Sequence, residues 1–183
     1  MADTREACNK RINEMKIIAD ASILIHLSAI GRFHLLKELF RKITVPEGVY
    51  TEVVIEGQGL PGSAETSEAL KSGFLKVMKV TDREKVKEIS QEYGITLSNA
   101  EVIQLAKEIN AEMVLANEEE VRSGAQAAGF KVKGCLGIIL DAVREKHVSS
   151  QQAFKDIDNL IDSGYRIADD IVEAVKDALR SQL

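Results

Sequence analysis

Lys16-Ile17-Ile18-Ala19-Asp20-Ala21-Ser22-Ile23-Leu24-Ile25 decides the reading of this chain. The apolar run before Asp20 is too short for a helix and reads as a buried strand. The pattern from Ser22 to Ile30 has helical period. A carboxylate between the two stands at the C-terminal end of a first strand, where α/β sheets place their ligands.

The pattern repeats along the chain. Further strands are predicted at Lys42–Val45, Phe74–Val80, Met113–Ala116 and Phe130–Lys133. Between them lie helical segments at Arg32–Phe40, through Val49, Val53 and Val54, and at Ala64–Ser72. Others run to Tyr93 from a capping box at Thr81-Asp82-Arg83-Glu84, and at Ser98–Asn110, Glu119–Ala128 and Cys135–Lys146. Gly31, Gly73, Gly94 and Gly129 punctuate them, and Gly57–Ser63 is a loop by composition. Strands alternating with helices predict a parallel sheet covered on both faces. The last third is helical, at Ser150–Asp162 and Asp169–Leu179. Ile167, Ile171, Val172, Val175 and Leu179 form a stripe that is expected to pack on the same domain.

Composition narrows the function classes. A chain of 183 residues with 45% hydrophobic and 29% charged residues suits one soluble domain. No apolar stretch approaches membrane-spanning length. Residues 1–14 are expected to be a short polar lead-in and not a secretory signal. Residues 15–147 then form the main domain, and 148–183 its C-terminal helices. Cys8 and Cys135 fit neither a disulfide framework nor a zinc site, which points to the reducing cytoplasm. A net charge of −5 sets aside non-specific attraction to long nucleic acids, and 4% aromatic residues argue against a base-stacking platform. No glycine-rich phosphate loop follows the first strand. His26, His34 and His147 fit no ligand or triad spacing and read as helix-surface or boundary residues.

Four segments direct oxygen-bearing side chains to one rim of such a sheet. Asp20 and Glu118 each follow a strand, and those two strands are expected to be neighbours where strand order reverses. Glu52 lies about two turns beyond Pro46 on the next helix. Asn99 and Glu101 open the helix before the Glu118 strand. Carboxylates brought close together repel and take up protons unless a cation relieves them. Oxygen donors favour Mg²⁺ or Mn²⁺, and such an ion can hold a phosphate oxygen and lower the pKa of water. Each residue also has a plainer role. Asp20 and Ser22 suit helix capping, Glu52 a solvated helix face, and Glu118 and Glu101 a first helical turn. Lys131, Lys133 and Arg122 form either a basic edge or ordinary solvated charge. A receiver- or phosphatase-like site is disfavoured, because Ala19 and Ser22 stand where its second acid belongs.

The same segments resemble the motifs of PIN-domain nucleases. These are Ile17–Ile25, Val45–Val53, Leu97–Ala106, Val114–Glu118 with Arg122 following, and Lys133–Gly137, the last being similar to a turn in a prokaryotic subgroup. The resemblance runs from about Lys16 to at least Leu140. It implies a three-layer α/β/α fold with a central mostly parallel sheet and a helical C-terminal extension. It also implies an Mg²⁺- or Mn²⁺-dependent endoribonuclease acting on RNA, with relatives that are toxins paired with a small antitoxin protein and many that are homodimers. Carried over by position, Asp20, Glu52 and Glu118 are metal-binding acids, with Ser22, Asn117 and Arg122 as supporting or phosphate-contacting residues. The third acidic position holds Asn99, with Glu101 two residues on and on another face of the helix. That departure leaves a second reading open, a degenerate module that binds RNA or protein without chemistry.

Overall fold

The computed structural model describes residues 15–180. The lead-in reading, and Cys8 within it, fall outside those residues. Five parallel strands make one sheet: β1 (Ile17–Ala19), β2 (Ile43–Pro46), β3 (Leu75–Met78), β4 (Met113–Leu115) and β5 (Lys131–Lys133). Their order is β3-β2-β1-β4-β5. The chain therefore winds outward from β1 in one direction, returns, and winds outward in the other. The reversal falls between β1 and β4, which pair directly through Ile18 and Val114. All five strands lie where the sequence places them.

The centre of the sheet is apolar because both its faces are covered. Ile17, Ile18, Ala19, Val114 and Leu115 are buried. The outer strands carry Lys76 and Lys131 exposed, which discourages pairing with another sheet edge. Pro46 closes β2 and opens the following helix, so its missing N–H costs the ladder little.

Helices α1 (Ala21–Ala29) and α2 (His34–Phe40) follow β1. After β2, α3 (Glu47–Tyr50) passes without a break into a π-helical segment, Thr51–Glu56. Then come α4 (Ser63–Lys71), α5 (Arg83–Tyr93), α6 (Leu97–Ile109), α7 (Glu119–Ala127), α8 (Cys135–Arg144), α9 (Ser150–Asp162) and α10 (Asp169–Arg180). Helix α6 lies across β1, β2 and β4, flanked by α5, α7 and α3. The other layer joins α1, α2 and α8, with α9 on α1 and α8 and α10 on α8 and α9. Gly62 is the hinge between the π-helical segment and α4. Its φ of 96° suits glycine, and a Cβ there would stand 3.3 Å from Ile25 Cα and from a Val53 methyl.

Four expectations change in detail. The helix through Val49 and Val53 widens to π geometry instead of staying α-helical, and the Gly57 N–H bonds to the Glu52 carbonyl at 2.9 Å. Asp82, not Thr81, caps α5, accepting from the Lys85 N–H at 3.0 Å. The Thr81 N–H instead bonds to the Glu108 carboxylate. Ile171 leaves the α10 stripe and is exposed, while Val172 and Leu179 are buried. Lys133 is not solvated charge, for it pairs with Asp141 of α8.

Candidate functional site

The site forms at the strand ends on either side of the reversal. Asp20 follows β1 and caps α1. Its Oδ1 accepts from the Ile23 N–H at 2.9 Å and from the Ser22 hydroxyl at 2.7 Å, and its backbone N–H bonds to Leu115 of β4 at 3.0 Å. Capping and a place on the rim, read from the sequence as alternatives, coexist in one residue. Asp20 is fully buried, and its second oxygen, Oδ2, has no hydrogen-bond partner. Loss of water pushes its pKa up to about 7, with nearby Glu118 adding to the rise. A buried carboxylate oxygen with nothing to bond is costly in any native structure.

Glu118 sits three residues past the end of β4 at the N-cap position of α7, where its side chain makes no capping bond. It accepts instead from the Asn99 amide at 2.8 Å. Its pKa is raised, first by loss of water and then by the charges of Glu52 and Glu120, against the Asn99 bond. Glu52, on the π-helical segment, is half-buried and accepts from the Ser98 hydroxyl at 2.7 Å. Glu118 therefore interacts electrostatically with both Asp20 and Glu52. Ser98 and Asn99, adjacent in the first turn of α6, hold one acid each.

The supporting residues divide into two groups. Ser22 donates to Asp20 and accepts from the Asn117 backbone N–H at 3.3 Å. The Asn117 side chain accepts from the Cys135 N–H at 2.9 Å and donates to Cys135 Sγ at 3.3 Å. These bonds run unbroken from Asp20 to the start of α8. Gly134 makes room for them, since a Cβ there would stand 3.0 Å from Asn117 Oδ1 and 3.2 Å from the Arg122 guanidinium. Arg122 donates to the Ala116 carbonyl at 3.0 Å, so it fastens the end of β4 and does not project as solvated charge. Burial pushes the Cys135 thiol up to about 12. Tyr165, buried between α9 and α10, stacks edge-on against His26 at 5.2 Å.

Glu101 is not with the other acids. It is buried, and its oxygens are taken by the Gly48 N–H and by Arg83. No local pattern signals this, because Gly48 is 53 residues away. Among the described residues, no three His, Cys, Asp or Glu side chains stand close enough to hold a metal ion in these rotamers. Two surface grooves lie elsewhere, one between residues 54 and 67 and one between α2 and α4.

A family model for the PIN domain matches residues 16–181, which is most of the chain. The chain belongs to the PIN-domain family. PIN domains are generally nucleases and typically use divalent metals. Among solved structures, the PIN-domain chain is similar to PAE2754 from Pyrobaculum aerophilum. That likeness has 18% identity and a TM-score of 0.46, and covers 64% of this chain and 90% of the other. No curated protein matches. Among the described residues, no helix is long and apolar enough to cross a membrane.

Proposed function

We propose that this PIN domain is an endoribonuclease that hydrolyses RNA phosphodiester bonds with Mg²⁺ or Mn²⁺, held by Asp20, Glu118 and Glu52. The observation that carries the reading is the buried, unpartnered Oδ2 of Asp20 beside a second desolvated acid. The chemistry of those donors suits a hard cation, and holding one requires the three side chains to rotate together from the rotamers described above. One oxygen is free, the surroundings are negative, and every candidate donor is oxygen. When bound, such an ion offsets the acids' mutual repulsion, polarises the phosphate and makes water more acidic.

The chain's own residues supply orientation. Ser22 and the Ile23 N–H keep one Asp20 oxygen engaged, which leaves the other without a hydrogen-bond partner. Asn99 and Ser98 aim Glu118 and Glu52. An amide at Asn99 contributes a hydrogen bond where a fourth acid would contribute charge, so the site is weaker for cations than a four-carboxylate one. A role as the toxin of a toxin–antitoxin pair, as a homodimer in the cytoplasm, is consistent with this reading and rests on the family resemblance alone.

The amide at Asn99 and the net charge of −5 favour the second reading, a module that binds RNA or a protein without cleaving. Two measurements separate them. Asp20→Asn keeps an oxygen for the Ile23 cap, so it should fold and lose RNA cleavage by at least about 10³-fold. Undiminished cleavage by clean Asp20→Asn protein would sink the nuclease reading. Calorimetric titration with Mn²⁺ that gives no heat at millimolar metal would favour the binding module.

A further inference from the structure

Helix α3 begins without a cap of its own. Pro46 occupies its N-cap and offers no side-chain acceptor. Glu101, projecting from α6, fills that role from another helix. Its Oε2 accepts the Gly48 N–H at 2.8 Å, while its other oxygen is held by Arg83 at the start of α5. Glu101 is only 5% exposed, so its charge is neutralised by Arg83 and its bond to Gly48 is shielded from water. An anion at a helix N-terminus also meets the favourable end of the dipole. The contact has a steric signature. A Cβ on Gly48 would stand 2.7 Å from Glu101 Oε2 and 3.2 Å from Ser98 Cα, so any larger residue would displace the Glu101 carboxylate and crowd the α6 backbone.

We infer that Arg83 and Glu101 form a cap supplied in trans, which sets the position of the 47–56 segment and through it the Glu52 carboxylate. Glu101 is then a positioning residue and not a ligand. Glu52 lies four residues beyond Gly48, one turn along the same segment. Helix α6 grips that segment twice, through Glu101 at Gly48 and through Ser98 at Glu52, and holds Glu118 through Asn99. The consequence for metal binding rests on the proposed nuclease site, but the cap itself does not.

The test uses the full chain, with amide hydrogen exchange in the absence of metal and calorimetry with Mn²⁺. Glu101→Ala should speed exchange across 47–56 by about tenfold, the size of one lost buried hydrogen bond. Exchange in β1 and β4 should stay slow, and Mn²⁺ affinity should fall about tenfold. Glu101→Gln keeps an oxygen for the Gly48 N–H and should recover most of the protection. Wild-type exchange across 47–56 in Glu101→Ala overturns the inference. So does loss of Mn²⁺ binding as complete as in Asp20→Asn with exchange unchanged, which would make Glu101 a ligand. If the wild-type chain binds no Mn²⁺, the nuclease reading fails and the exchange result alone decides the cap. Should Glu101→Ala not fold, Gly48→Ala takes its place. It must loosen 47–56 and leave β1 and β4 protected, and unchanged exchange there refutes the cap.

Discussion

Asp20 and Glu52 each interact electrostatically with Glu118, yet they are held by opposite means. Asp20 is fixed by its immediate neighbours. Ser22 and Ile23 lie within three residues, its backbone is stitched to β4, and the side chain is fully buried. Glu52 stands half-buried on a π-helical turn, and the groups that hold it belong to α6, more than forty residues away. One acid is set by local chain geometry at the end of the central strand, β1. The other is set by how two helices dock. The Asp20 side should therefore respond to substitution chiefly through stability and ionisation, and the Glu52 side through orientation.

The largest expected difference is in pH dependence. In the unfolded chain Asp20 ionises near its ordinary 3.8, whereas in the folded, metal-free protein it holds its proton up to about 7. Between those values the native state binds more protons. Stability therefore falls as pH rises through that window, by a total on the order of 4 kcal/mol. Urea unfolding of metal-free protein at pH 4.5 and pH 7.5 should show about 3 kcal/mol of this loss, and Asp20→Asn should remove it. A wild-type stability that is flat or rises between those pH values would place Asp20 in a wetter setting than its burial indicates.

Next in size is Asn117→Ala. It strips the acceptor from the buried Cys135 N–H and the donor from its thiol, and so parts the end of β4 from α8. A loss of about 2 kcal/mol is expected, with a matching drop in Tm. A change under about 0.5 kcal/mol would mean that water replaces both bonds. The smallest effect belongs to the Glu52 side. Ser98→Ala should cost under about 1 kcal/mol of stability, since the bond is only partly buried. It should weaken Mn²⁺ binding several-fold by freeing Glu52. Equal stability losses from Asn117→Ala and Ser98→Ala would erase the contrast between the two sides.

How much of this was legible in the sequence depends on the same division. The central strands were legible as short apolar runs, ended by Asp20 after β1 and by Pro46 in β2, the outer ones by alternation in β3 and by the flanking Gly129 and Gly134 at β5, and Asp20 and Glu118 were legible because they follow β1 and β4. The adjacency of β1 and β4 came from the rules for winding a parallel sheet. The partners of Glu101 were not legible, because Gly48 and Arg83 are 53 and 18 residues away and periodicity carries no information about docking. Thr81 looked like the cap of α5 by spacing, but its N–H and that of Asp82 turn to Glu108 of α6 and shift the cap by one residue. The widened turn at Thr51–Glu56 leaves no compositional trace, since the residues that form it suit an ordinary helix equally well.

That widened turn makes the length of the chain between Pro46 and Gly57 a variable of its own. Deleting a single residue between Pro46 and Glu52 would move Glu52 one position back along the helix and rotate it by about 100° around the axis. A carboxylate aimed at the rim would swing out to solvent with no change in side-chain chemistry anywhere. A one-codon indel could thus silence the Glu52 side while leaving the sheet, and the Asp20 side, intact.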